Sequence, residues 1–266
     1  MLRFLQLEWY KIRTNRAFWV ILLLNLLAFV GFLQVIANSY RSVTHTKEEN
    51  GKLEVLRPFF EKPFNYPEIW QTSAFFLSFL VPLSAILVIL NINNEWSSKM
   101  LRQHIIEGLS RKEFLLSKFI WLLVLTLVFT FFYVLANLFV GSGEWEISNT
   151  IFYFALLVFA QLSIAFALGL WIKRSVLAVT IFIAYMLIAE PLLIWFLKKY
   201  SLDFLVPFLP FEVSDRLILP PEVFKFFSPE DYKQRSEAIQ AQMLYTILES
   251  TLLWVFTFWK FEKKDL

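Results

Sequence analysis

The side chains able to do chemistry in this sequence are few, and the two most conspicuous are acids. Glu190 and Glu249 are the ionisable residues well inside long apolar runs. A charge at mid-span costs about 2.5–3.5 kcal/mol on insertion scales, so each carboxyl must face protein or water rather than lipid. Two roles fit them: a cation or proton site, or a structural anchor. Glu190 precedes Pro191, where a broken helix frees carbonyls to which a protonated carboxyl can donate. Glu249 lies less than two turns from the outer end of its run. The only histidines, His45 and His104, fall outside the apolar runs, and cysteine is absent. These facts exclude a thiolate nucleophile, a disulfide framework, and a histidine-based zinc site or histidine-assisted serine nucleophile at membrane depth. No G-x-x-x-x-G-K-[ST] loop occurs, so nothing here cradles nucleotide phosphates. The chain is expected to be no enzyme and to hold no cofactor or metal.

What must position these residues is a membrane domain. The chain has 266 residues, 58% of them hydrophobic and 19% aromatic, with a mean hydropathy of +0.58. That balance is far too apolar for a soluble domain of this length. Crossing the ~30 Å hydrocarbon core takes about 20 helical residues. Six segments qualify: 17–37, 71–92, 119–140, 151–172, 175–197 and 243–259. The first exceeds a typical signal-peptide core and is expected to be retained. The expected fold is an all-α membrane protein of one domain, 1–266, with extracytoplasmic loops at 38–70 and 198–242.

Orientation follows from lysine and arginine, which resist translocation. Lys99, Arg102, Arg111, Lys112 and Lys118 populate 93–118, and Lys173-Arg174 forms a tight turn, whereas 141–150 has no basic residue and carries Glu144 and Glu146. The chain is therefore expected to be multi-pass in the cytoplasmic (inner) membrane with both termini cytoplasmic. Its net charge of +3 reflects that topology rather than a nucleic-acid partner.

Other features are local. Leu2, Leu5, Trp9 and Ile12 recur at helical spacing among basic residues, the pattern of an interfacial helix over 2–16; a plain basic flank that fixes topology is the alternative. Pro82 and Pro191 should kink their spans. Ala165 and Gly169 form a small-xxx-small pair that would admit a close helix neighbour. The apolar, proline-bearing pieces within 198–242 are too hydrophobic for a free loop. They are expected at the interface or packed over the bundle's outer mouth, followed by a helix beginning near Ser228-Pro229 that runs into the last span.

In 93–114, Trp96, Met100, Leu101, Ile105 and Leu109 form an apolar stripe, with Arg102, Gln103 and Glu107 on other faces. Gly108 supplies a helix stop, and Ser110-Arg111-Lys112-Glu113 reads as a capping box that starts the next helix. A short amphipathic helix over 95–109 is expected on the cytoplasmic face, either anchoring the spans at the interface or offering charge to a docking partner. Glu95-Trp96, Leu101-Arg102, Glu107-Gly108-Leu109-Ser110-Arg111, Glu113-Phe114 and Lys118 resemble a segment of ABC-2 type transporter permeases. The likeness extends to Glu8-Trp9-x-Lys11-x-Arg13 and to the tail Phe261-x-Lys263-Lys264-Asp265. It departs where many relatives carry threonine two residues before Leu-Arg; this chain has Lys99-Met100.

The resemblance implies six spans, an N-terminal interface helix and a coupling helix over 95–109 that sits on a separate ATPase. It places Glu95, Lys99, Arg102, Gln103, Glu107, Gly108 and Arg111 at that contact, with Glu8, Trp9, Lys11 and Arg13 on the interfacial helix. The implied partners are two ABC ATPase subunits carrying ATP and Mg, a second permease chain in a homo- or heterodimer, and membrane lipid. The expected function is ATP-driven export, with the aromatic-rich spans favouring an amphiphilic cargo. Two other readings remain open: an ion-coupled secondary transporter using Glu190 and Glu249, and a non-transporting immunity or assembly protein.

Overall fold

The computed structural model describes residues 8–11, 13, 15–48, 63–98, 110–225 and 227–263, which are helices joined by short turns. After a helical stretch that includes Glu8–Lys11, α1 runs Arg16–Glu48, with the Asn15 side chain accepting from the Phe18 N–H (3.2 Å) at its start. Then come α2 (Glu68–Ser78), α3 (Val81–Ser97), α4 (Arg111–Val140), α5 (Thr150–Trp171) and α6 (Ser175–Ala184). A π-helical turn, Tyr185–Ala189, leads into α7 (Glu190–Lys199). A 3-10 turn (Asp203–Phe208), α8 (Pro210–Asp215), a second 3-10 turn (Glu222–Lys225) and α9 (Pro229–Glu262) complete the order.

Among the described residues, four stretches are long and apolar enough to cross a membrane: within α1, α4, α5, and the α6–α7 run of 175–199; the bent α2–α3 pair makes a fifth if it is one span. The sixth expected segment, 243–259, is helical but belongs to the 34-residue α9, whose polar first half and Glu249 set it apart. Both proline expectations have local counterparts. α2 and α3 meet at 47°, with Pro82 in the first turn of α3. At Pro191, whose ring would strike the carbonyl four residues earlier, the widened π turn accommodates the clash.

Helix α5 is the centre. It packs against α2, α3, α4, α6, α8 and α9 and is the most enclosed of the four helices long and apolar enough to span. The small-residue pair sets its closest approach: Ala165 is fully buried, and a Cβ at Gly169 would lie 3.3 Å from the Ile89 Cα. Asn93 Nδ2 also donates to the Gly169 carbonyl at 3.3 Å. Aromatic stacking fills the remaining space, as in Tyr133 on Phe154 (4.3 Å) and Phe166 on Trp254 (5.0 Å).

The 203–225 segment does not float. Phe211 packs edge-on to Phe182 (5.3 Å), Gln242 donates to the Val213 carbonyl (2.8 Å), and Gln161 donates to Asp215 (3.0 Å). Because Gln161 is halfway along α5, α8 packs against the middle of that helix. Since Gly169 faces backbone, Gly169→Leu should overpack the α3–α5 contact and destabilise the protein by about 1–3 kcal/mol. Thermal unfolding in detergent checks this, and an unchanged midpoint would deny the close approach its role.

Candidate functional site

The capping box sets the phase of α4. Ser110 accepts from the Glu113 N–H (3.2 Å), and Glu113 accepts from the Ser110 N–H (2.9 Å). One turn on, Phe114, Leu115, Lys118, Trp121 and Leu122 all face inward. That stripe carries a lysine into the interior: Lys118 is 1% exposed. A lone buried ammonium is prohibitively costly, so it must meet anions.

It meets two. Lys118 Nζ donates to Glu8 Oε2 at 2.6 Å and also to Glu95 Oε1, and these acids are 1% and 5% exposed. Lys11 adds a second cation, 3.2 Å from Glu8 and 3.7 Å from Glu95. Ser117 donates to Glu8 (3.3 Å), and the Phe114 ring centroid lies 5.3 Å from the Lys118 ammonium. Two acids and two bases leave the cluster neutral. Burial works against the Glu8 charge, but Lys118 and Lys11 outweigh it and hold the carboxyl below its usual 4.5. The N-terminal helical stretch, the last turn of α3 and the second turn of α4 are thereby pinned at one point. A polar recess of about 350 Å³ opens beside it, lined by Lys11, Asn15, Asn91, Asn94 and Glu95 among others.

Of the residues named from sequence, Glu8, Lys11 and Glu95 converge here. Glu95, named from sequence as an ATPase-contact residue, continues α3 and turns inward toward Lys118. Trp9 is exposed and packs edge-on to Trp19 (5.9 Å), and Arg13 is exposed. Arg111 points elsewhere, donating to the Glu262 carbonyl at the end of α9. Lys99, Arg102, Gln103, Glu107 and Gly108 lie outside the described residues, and with them most of the 95–109 helix. From sequence, Lys118 counts among the basic residues of 93–118 and belongs to the segment that resembles ABC-2 permeases, with no partner assigned. Its i+4 relation to Phe114 on the apolar stripe was the signal that it needed a carboxylate.

Glu190 and Glu249 behave differently from each other. Glu190 is buried and accepts from the backbone N–H groups of Phe211 (3.0 Å) and Glu212 (2.6 Å), anchoring α8. Its partners are thus amides of another segment, not carbonyls freed by Pro191. Glu249 is half-buried, and its Oε2 has no hydrogen-bond partner among the described residues. No group of three or more metal-ligating side chains is found among the described residues.

Residues 45–266 match the model of a family described as a protein of unknown function, DUF2705. The match takes in Glu95, Lys118, Glu190 and Glu249 and begins after Glu8 and Lys11. No curated protein matches the chain.

Lys118→Met would strand two carboxylates and should cost about 3–5 kcal/mol of stability, read as a lowered thermal midpoint; no change would mean the cluster is not closed. Because the folded Glu8 titrates below its usual value, its contribution is complete above pH 4.5 and is lost as pH falls through the lower folded value. Amide protection over Glu8–Lys11, corrected for the intrinsic pH dependence of exchange, should fall on acidification in the wild type and change much less in Glu8→Gln.

Proposed function

We propose, for a chain that belongs to the DUF2705 family, the role of membrane permease subunit in an ABC-type exporter. Both termini and the 95–109 helix face the cytoplasm in this reading, the α9 segment 243–259 completes six spans, and two separate ATPase subunits bind ATP and Mg. A second permease chain completes the transporter. The observation that carries the reading is the ion cluster. The ATPase grips the segment that follows Glu95, and Glu95 is bound through Lys118 to Glu8, so displacement of that segment moves α3, α4 and the N-terminal helix together. ATP-driven closure of the ATPase pair then switches the dimer between inward and outward states.

A second reading, ion-coupled transport, draws on the unpartnered Oε2 of Glu249. Glu249→Gln leaves the Glu190 anchor in place; it abolishes transport under this second reading and spares ATP-driven transport under the first.

Co-purification tests the leading reading directly. A stoichiometric ATPase should accompany the chain and be lost when Arg102→Glu and Glu107→Lys are combined. Glu8→Gln should keep the ATPase bound while lowering ATP-driven transport on the order of tenfold, the scale of a typical coupling energy. Purification of a fully functional chain with no ATPase in the complex would overturn the assignment.

A further inference from the structure

At the same end of the bundle as Lys118, the last turns of α9 and the end of α5 build a continuous aromatic ledge. Trp171 meets Phe256 edge-on at 5.5 Å, and Phe256 stacks on Trp259 at 6.0 Å. Two ammonium groups rest on it. Lys260 lies 4.4 Å from the Trp171 centroid and 5.8 Å from that of Phe256, and Lys263 lies 4.2 Å from that of Trp259. Both lysines are exposed. Neither takes part in an ion pair among the described residues; the neighbouring Glu262 is turned to α4, its carboxylate on Lys112 (3.1 Å) and its carbonyl on Arg111.

The ledge has an apolar continuation. Leu248, Leu252 and Val255 are exposed on α9 and lead to Trp259 at helical spacing. From Lys260 back to Leu248 is about 18 Å of helix, close to the half-thickness of a ~30 Å hydrocarbon core. Cations held at a fixed height on indole rings, directly beside an acyl-length apolar stripe, match a molecule that is anionic at one end and hydrocarbon along its length. A nucleic acid or a free phosphate uses only the first half of that surface.

We propose that this ledge binds an anionic phospholipid, its phosphate between Lys260 and Lys263 and an acyl chain along Leu248, Leu252 and Val255. The site is independent of the transport reading. A built-in comparison exists at the opposite end of the bundle, where Lys199 rests on Trp195 (5.1 Å) beside Lys198.

Native mass spectrometry of the full chain, released from micelles supplemented with phosphatidylglycerol or phosphatidylcholine, tests the site. The wild type should retain phosphatidylglycerol over phosphatidylcholine on the order of tenfold, the scale expected for two lysines at a charged membrane surface. Lys260→Gln with Lys263→Gln should abolish that preference, Lys260→Arg with Lys263→Arg should preserve it, and Lys198→Gln with Lys199→Gln should leave it unchanged. Equal retention of the two lipids by the wild type would overturn the proposal, as would equal losses from the glutamine pairs at the two ends. So would a dimer that holds no lipid and dissociates on Lys260→Gln with Lys263→Gln, which would assign the ledge to a second copy.

Discussion

Once an ammonium group has been drawn out of water, the elements around it are no longer independent, because each carboxylate that neutralises it must arrive from somewhere. For Lys118 the carboxylates come from the N-terminal helical stretch and from the end of α3. Hydrophobic burial alone would leave these pieces free to slide along one another, since apolar contacts are non-directional. Charge-assisted hydrogen bonds fix both distance and direction. The neutral group of Glu8, Glu95, Lys11 and Lys118 therefore sets the register of an end of the bundle that packing by itself would leave loosely defined.

The opposite half uses the same logic with a backbone partner. Glu190 could not be left in lipid, and α8 carries N–H groups at its start with no acceptor of their own within so short a helix. Each resolves the other's deficit. α8, in the proline-bearing segment, is held as a result against Gln161 and Gln242.

Much of this was legible in the residues. Apolar run length located the spanning helices, the Ser110–Glu113 box marked the start of α4, Pro82 and Pro191 marked breaks in regular helix, and Gly169 marked a close approach. The partnerships were not legible, because periodicity says which face a residue occupies and nothing about what stands opposite. Lys118 and Glu95 are 23 residues apart and Lys118 and Glu8 are 110 apart, separations that only the tertiary fold resolves. The contacts of α8 with Gln161 and Gln242 were not legible for the same reason. The 243–259 segment reads as a span because its apolar residues outnumber its polar ones; within α9, Thr246, Ser250 and Thr257 are buried.

Because α5 packs against six other elements, it leaves little outward-facing surface on which a bulky or polar replacement can be hidden. Its 22 residues form a rigid axle, and sequence drift in this protein should be confined to the outer staves, above all the sparsely enclosed α6–α7 run, where one oily side chain serves as well as another. Enclosure also permits hydrophilic atoms at mid-depth: the hydroxyl of Ser163 and the amide of Gln161 are screened from hydrocarbon by the elements around them.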